Sequence, residues 1–203
     1  GDPPTTTIAS VALSNDSGTS SSDFITRTAA QDLSGALSAN LAAGESVLVS
    51  LDNGATWATA TTTVGQSTWS LTGRTLTPSN TLKVKVSDTA GNDGGVLSQA
   101  YVLDTVTPVT PSTPVLASDT GSSNIDGITS DTTPTLSGTA ENGSTVTLYD
   151  GATLLGAVTA GAGGWTYTTG VLAQGDHTIT AVSTDTAGNA SAASAALAIT
   201  IDT

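Results

Sequence analysis

The residues of this chain with the clearest chemical potential are acidic side chains that recur at matching positions in its two halves. Asp16 and Asp23 return 103 residues later as Asp119 and Asp126, and the run Asp-Thr-Ala-Gly-Asn occurs once in each half. An Asp-Thr pair also stands at the end of each half. The candidate metal ligands defined by this repetition are Asp2, Asp16, Asp23, Asp88, Asn92, Asp104, Asp119, Asp126, Asp185, Asn189 and Asp202.

These side chains bind metals through oxygen, which points to a hard divalent cation. Calcium takes about six to eight oxygen ligands from carboxylates, Asn side chains, backbone carbonyls and water. The chain has no Cys and one His, so the sulfur and imidazole ligands that zinc favours are missing. Magnesium retains several of its own water molecules, which makes a cluster of loop carboxylates a better site for calcium. The sequence therefore predicts Ca2+ as the cofactor.

A turn role is the alternative for each aspartate, because Asp and Asn side chains often cap their own backbone. For Asn53-Gly54 and Asp150-Gly151 we predict hairpin turns only. His177 has no serine-centred motif or paired carboxylate near it, so we predict a structural role for it and no enzymatic activity. Four acidic residues lack a counterpart in the other half and are predicted to be solvated or auxiliary: Glu45, Asp93, Asp131 and Glu141.

The composition excludes several classes of function. Seventeen acidic residues against four Lys and Arg give a formal net charge of -13, so phosphate backbones and anionic membranes should repel the chain. We predict no nucleic-acid partner and no membrane insertion, since no apolar run approaches the roughly 18 residues that a membrane helix needs. Apolar residues make up 37% and charged residues 10%, which favours a folded chain over a disordered one.

The spacing of the repeated residues defines two tandem domains. Besides the aspartates, Leu33-Ser34-Gly35 returns as Leu136-Ser137-Gly138, and Trp69 returns as Trp165. A segment rich in Pro and Thr between 104 and 114 favours an extended joint, so the predicted domains are 1–106, a diverged copy, and 107–203. Because Asp202-Thr203 matches the start of that joint, we expect the two copies to belong to a longer array.

Each copy is predicted to be a β-sandwich. Apolar and polar residues alternate in short runs, as along 82–86, and no run has a sustained helical period. The strands predicted in the first copy lie near 8–14, 29–37, 45–52, 56–63, 67–73, 80–87 and 96–104. Seven short strands in about 100 residues are typical of an immunoglobulin-like sandwich, although its usual Cys pair is absent here. The predicted fold class is all-β, with two tandem immunoglobulin-like seven-strand β-sandwich domains.

An odd number of antiparallel strands carries the chain from one end of a sandwich to the other, so the place of each loop in the strand order determines the end at which it lies. Asp16 and Asp23 are expected at the outgoing end of the first copy with Asp104, and the 185–189 loop at the incoming end of the second. Stacked copies would then gather four carboxylates, where like charges ~5 Å apart cost about 1 to 3 kcal/mol per pair without a cation. We call the set of candidate ligands at one end of a copy a half-site. The other half-sites are Asp119, Asp126 and Asp202 at the outgoing end of the second copy, and Asp2, Asp88 and Asn92 at the incoming end of the first.

Residues 117–140 and 185–189 carry the most distinctive motifs of the chain. They are Ala-Ser-Asp-Thr-Gly-Ser-Ser-Asn-Ile-Asp-Gly-Ile-Thr-Ser-Asp-Thr-Thr-Pro-Thr-Leu-Ser-Gly-Thr-Ala and Asp-Thr-Ala-Gly-Asn, with a diverged form of the pattern in the first copy. These motifs resemble the bacterial Ig-like tandem repeats of giant secreted RTX adhesins, the large biofilm-associated proteins of type I secretion. The resemblance implies a calcium-binding stalk at the cell surface. One departure is Thr28, which stands where the second copy has Asp131.

The predicted function is a calcium-rigidified extender of a bacterial adhesin, which projects a ligand-binding tip for attachment and biofilm formation. The predicted partners are neighbouring Ig-like repeats of the same chain, in a monomeric, extracellular protein anchored to the outer membrane. The alternative is that one domain, the diverged first one above all, itself binds a glycan or peptide. Such a site needs exposed aromatic side chains. Trp69 and Trp165 are predicted core residues, whereas Trp57 has no counterpart and is predicted to be partly exposed.

Overall fold

The computed structural model describes residues 1–117 and 119–203 and folds them into two compact units, Gly1–Thr105 and Val106–Thr203. Strands are the only regular elements in that part of the chain. Each unit has its own apolar core, with Leu33, Val47 and Leu82 at the centre of the first and Leu136, Val146 and Ile179 at the centre of the second. Within the described residues, no helix has the length and apolar composition needed to cross a membrane.

The first unit contains two sheets that face each other across its core. The strands of the four-stranded sheet are, in spatial order, β1 (Ala12–Leu13), β3 (Ala30–Ala36), β7 (Thr68–Thr75) and β6 (Thr61–Thr62). The strands of the five-stranded sheet are β2 (Ile25–Thr26), β9 (Leu97–Leu103), β8 (Asn80–Asp88), β4 (Glu45–Ser50) and β5 (Ala58–Thr59). All pairs are antiparallel except β2 with β9, which is parallel.

The second unit repeats this arrangement. Its three-stranded sheet has the spatial order β10 (Val115–Leu116), β12 (Thr135–Gly138) and β15 (Trp165–Thr168). Its five-stranded sheet has the order β11 (Ile128–Thr129), β17 (Leu197–Ile201), β16 (Gly175–Thr184), β13 (Thr145–Asp150) and β14 (Thr153–Thr159). Here too the short second strand, β11, pairs in parallel with the last strand, β17.

Alternation along the sequence determines which side of each strand faces the core. Leu82, Val84 and Val86 on β8 are completely buried, while the residues between them lie on the other face of the sheet. Trp69 and Trp165 are 2% and 4% exposed, so the prediction that they are core residues is confirmed. The all-β fold class with two immunoglobulin-like sandwiches is also confirmed.

The structure differs from the predicted set of seven antiparallel strands in two places. The predicted strand near 56–63 is divided into β5 and β6, which join different sheets. The predicted loop after the first strand contains β2, which carries the chain across to the second sheet before β3 begins. Strands of two residues are too short to show an alternating pattern, so nothing in the sequence marks them.

The repeated Leu-Ser-Gly motif has a packing role. Gly35 pairs with Trp69 across β3 and β7, and Gly138 pairs with Trp165 across β12 and β15. A Cβ atom at Gly35 would lie 2.7 Å from Trp69 Nε1 and nearer still to the Ser10 carbonyl oxygen, and one at Gly138 would lie 2.6 Å from Trp165 Cζ2. The indole of each core tryptophan therefore occupies the space that a side chain on the facing strand would need.

Candidate functional site

The first candidate half-site is built around Asp16, in the loop between β1 and β2. The N–H of Phe24 donates to Asp16 Oδ2 at 2.9 Å, and the N–H of Ile25 donates to Asp23 Oδ1 at 3.0 Å. Phe24 has a φ of 62°, a left-handed conformation that costs a residue other than glycine roughly 1–2 kcal/mol. The other carboxylate oxygen, Asp16 Oδ1, is buried and has no hydrogen-bond partner among the described residues.

The second unit builds the same arrangement around Asp119. The N–H of Gly127 donates to Asp119 Oδ2 at 2.9 Å, and the N–H of Ile128 donates to Asp126 Oδ1 at 3.1 Å. Gly127, with a φ of 74°, takes the place of Phe24. Asp119 Oδ1 is again buried without a hydrogen-bond partner in the described part of the chain. One loop design thus orients one carboxylate oxygen and leaves the other unsatisfied in both units.

The last strand of each unit runs beside these loops. The N–H of Asp104 donates to the Thr26 carbonyl at 2.9 Å, and the N–H of Asp202 donates to the Thr129 carbonyl at 3.0 Å. Because β2 and β9 are parallel, Asp23, which precedes β2, and Asp104, which follows β9, stand at opposite ends of a short ladder. In the second unit Asp126 and Asp202 line one cavity of about 350 Å³ together with hydroxyls of the same loops.

The Asp-Thr-Ala-Gly-Asn loops close on themselves. In the first unit the Asn92 backbone N–H donates to Asp88 Oδ1 and its side-chain amide to Asp88 Oδ2, both at 2.8 Å. The hydrogen bond from the Asn92 side chain, followed by that from its backbone, holds the pKa of Asp88 below its ordinary value. Asn189 makes the same two bonds to Asp185, each 2.8 Å long. This motif therefore shapes the turn after β8 or β16 by itself.

Asp2 lies beside the Asp88 loop. Because β8 and β9 are antiparallel, this loop is at the end of the first unit opposite Asp104. Asp2, Glu45 and Asp88 line one cavity of about 270 Å³. Glu45, which has no counterpart in the second half, begins β4 directly opposite Asp88 at the end of β8, and its Oε2 accepts the N–H of Ala42 at 3.0 Å. In neither unit do the described residues cluster three or more Asp, Glu or His side chains tightly enough to hold a metal ion.

An ion pair between Asp150 and His177 was also missed. Asp150 Oδ2 lies 2.6 Å from His177 Nδ1, Asp150 Oδ1 accepts the N–H of Thr178 at 2.9 Å, and His177 Nε2 lies 2.8 Å from the Ala173 carbonyl. Burial acts to lower the pKa of His177, but the hydrogen bonds to Asp150 and Ala173 raise it above its ordinary value. Burial acts to raise the pKa of Asp150, but the bonds from His177 and Thr178 lower it. The pair fastens β16 to β13, as a structural histidine does.

Two-sheet sandwiches of this topology define the immunoglobulin-like class of β domains. The chain belongs to the bacterial Ig-like domain family, whose model matches residues 3–105 and 106–203. No curated protein sequence matches the chain.

Several solved structures are similar to the chain at low sequence identity, and the first of them supports the fold. The fibronectin(III)-like modules of Clostridium thermocellum CbhA are 18% identical, with 95% of this chain and 94% of that chain covered and a TM-score of 0.52. The BSP domain of a biofilm associated protein is 20% identical over 95% of this chain and 30% of that one, with a TM-score of 0.34. The FN1–FN3 domains of chicken CNTN1 are 15% identical over 100% and 68%, with a TM-score of 0.48.

Proposed function

We propose that this chain is a calcium-rigidified extender region of a bacterial cell-surface adhesin, in which Ca2+ binds between successive Ig-like repeats. The observation that carries the proposal is the buried, unpartnered carboxylate oxygen that recurs at Asp16 and Asp119. Membership of the bacterial Ig-like family supports a modular, non-enzymatic role.

An unsatisfied buried acceptor is costly, which favours a ligand at these positions. Leaving a buried polar group without a partner costs about 1–3 kcal/mol, and more when the group is charged. A bound cation would satisfy the free oxygen of Asp16 or Asp119 and reduce the repulsion within a chain of net charge -13. The left-handed Phe24 supports this argument, because residues held in unfavourable backbone conformations concentrate at functional sites.

The residues that would hold the ion come from each end of a repeat. The outgoing sets are Asp16, Asp23 and Asp104 in the first unit and Asp119, Asp126 and Asp202 in the second; the incoming sets are Asp2, Asp88 and Asn92, and Asp185 and Asn189. Calcium takes about six to eight oxygens, more than the three side chains of one outgoing set supply when each binds through one oxygen. The remaining ligands would come from the neighbouring repeat and from water, which makes the ion a clamp between repeats.

The proposed cellular role follows from where calcium is abundant. In the calcium-poor cytosol the acidic ends repel one another, and the chain is kept extended for export by a type I (RTX) secretion system. Outside the cell the sites fill, which stiffens the array and projects an adhesive tip for attachment and biofilm formation. At free calcium a hundredfold above Kd, binding stabilises the liganded state by about 2.7 kcal/mol.

Calorimetric titration of the full chain with CaCl2 tests the proposal. We expect saturable binding that is weakened in Asp16→Asn and Asp119→Asn. The matched control is Glu141→Gln, which removes one charge at an exposed residue that is not among the proposed ligands and should titrate like the wild type. The Gln side-chain oxygen can still accept the N–H of Val109, which lies 3.4 Å from Glu141 Oε2. Equal weakening in all three variants would indicate only diffuse attraction to an acidic surface, and no binding would refute the calcium clamp.

A further inference from the structure

The outward face of the five-stranded sheet in the first unit gathers a tryptophan and both lysines of the chain. Lys83 and Lys85 lie on the side of β8 opposite its buried residues. Trp57 immediately precedes β5, the edge strand next to β4, and its ring centroid lies 4.3 Å from Lys85 Nζ. We call these three residues the Trp57–lysine face. Half of the cations of a strongly acidic chain are thus concentrated on one surface.

Hydrogen bonds and charge hold the indole of Trp57 in place before any ligand arrives. Its Nε1–H donates to the Gly54 carbonyl at 3.1 Å. Lys85, which covers the ring, is itself held by Asp93 at 2.6 Å, and Asp93 also accepts the Ser87 hydroxyl at 2.9 Å. A fixed aromatic side chain loses little conformational freedom on binding, so more of its contact energy contributes to affinity.

Lys83 provides the free charge. Within the described residues no carboxylate lies within salt-bridge distance of its ammonium group, whereas Lys85 is already neutralised by Asp93. Across the sheet, Lys83 lies between Ser50 of β4 and Ser98 of β9. Ser50 is buried and its hydroxyl donates to Asp52 Oδ1 at 2.7 Å, whereas Ser98 is exposed. The face therefore offers an unpaired cation bordered by the exposed Ser98 hydroxyl and an aromatic ring.

The second unit does not reproduce this surface. Thr180 and Val182 occupy the matching outward positions of β16, where they pair with Tyr149 and Thr147 of β13. The Trp57–lysine face is therefore a special feature of the first unit, and the shared fold does not require it.

We propose that the Trp57–lysine face binds an acidic polysaccharide. The exposed part of the indole contacts the C–H face of a sugar ring, and the Lys83 ammonium binds the carboxylate or sulfate of that sugar. Hydroxyls on β5 and β9, those of Thr59 and Ser98, lie on the same face to hydrogen-bond sugar hydroxyls. A sheet face is suited to an extended polymer, and this face carries two of the four Lys and Arg side chains of the chain, which gives it a local charge opposite to that of the ligand. Calcium binding by the half-sites is not required.

Biolayer interferometry with immobilised polygalacturonate, run on the full chain in a calcium chelator, tests the proposal. Dextran serves as the neutral control and dextran sulfate separates sulfate from carboxylate recognition. We expect binding to at least one acidic polymer, none to dextran, and a loss of about five- to tenfold in affinity for Lys83→Gln, as for one charge-assisted contact. Trp57→Leu should lower affinity about fivefold, as for loss of one stacked aromatic contact.

The matched control is Arg74→Gln, which removes the same charge from β7 of the other sheet and should bind within about twofold of the wild type. Lys83 is on the surface, so circular dichroism is expected to show an unchanged fold for Lys83→Gln. Equal binding by Lys83→Gln and wild type, equal loss in Arg74→Gln, or no binding to either acidic polymer would overturn the proposal. Self-association of the chain that Lys83→Gln abolishes, without polysaccharide binding, would also overturn it and assign the face to a second copy.

Discussion

Replacing Gly138 with alanine should destabilise the second unit strongly, because the indole of Trp165 already occupies the space that the methyl group needs. The new Cβ would lie 2.6 Å from Trp165 Cζ2, 2.8 Å from Cε2 and 2.9 Å from Ser112 Oγ. Carbon atoms pack favourably at about 3.5–4.0 Å, so the tryptophan must move by roughly 1 Å. Trp165 is 4% exposed and packed in the core, so it has little room to do so. Overpacking of this kind costs about 1–3 kcal/mol.

Urea unfolding of the full chain, followed by Trp fluorescence and circular dichroism, measures this cost. Gly163→Ala is the matched control, because nothing lies within 4 Å of its Cβ position. We expect Gly138→Ala to lower the free energy of unfolding by about 2 kcal/mol, or the Tm of a domain of this size by roughly 8–16 °C. Gly163→Ala should change it by less than about 0.5 kcal/mol. Equal effects of the two substitutions would refute the packing argument.

Three further predictions concern single side chains. Gly127→Ala should cost about 1–2 kcal/mol of stability in urea unfolding, because φ is 74° and the Cβ would lie 3.1 Å from the Ala198 carbonyl; an unchanged midpoint would contradict it. The pKa of His177 is raised in the folded chain, so its protonated side chain stabilises the fold. This stabilisation is complete below the ordinary pKa of 6.5 and is lost as the pH rises through the raised pKa. The stability advantage of wild type over His177→Gln should therefore shrink above pH 6.5, and a constant difference would contradict the ion pair. Thr56→Val should raise the Asp52 pKa from about 2 towards 3.8 in an NMR titration, since the hydrogen bond from the Thr56 hydroxyl is the main cause of the low value. An unchanged pKa would show that another group lowers it.

The sequence predicted most of the fold because its strands are long enough to alternate. The pattern along β8 placed its valines inside and its lysines outside, and the repeated Leu-Ser-Gly and Trp pointed to equivalent core positions. The short strands β2, β5 and β6 have two residues each, so they show no period. Their pairing depends on contacts with distant strands, which no local pattern encodes.

The candidate site was predictable as a set of residues but not as a geometry. Repetition selected Asp16 and Asp119 correctly as equivalent positions. It could not show that the Oδ2 atom of each accepts the N–H of a left-handed residue eight positions later while the Oδ1 atom stays unsatisfied. Repetition could not place Glu45, which has no counterpart and lines a cavity with Asp88. The contact of Asp150 with His177, 27 residues away, required the register of β13 and β16.

Small-angle X-ray scattering of the full chain in calcium and then in excess chelator tests the central claim most directly. If a divalent ion joins the acidic ends of successive repeats, removing it should broaden the distribution of distances and change the maximum dimension, and adding calcium back should restore the original curve. Asp16→Asn should weaken that response, while Glu141→Gln should retain it. Superimposable curves with and without calcium would contradict the account and leave the repeats without an ion-dependent stiffness.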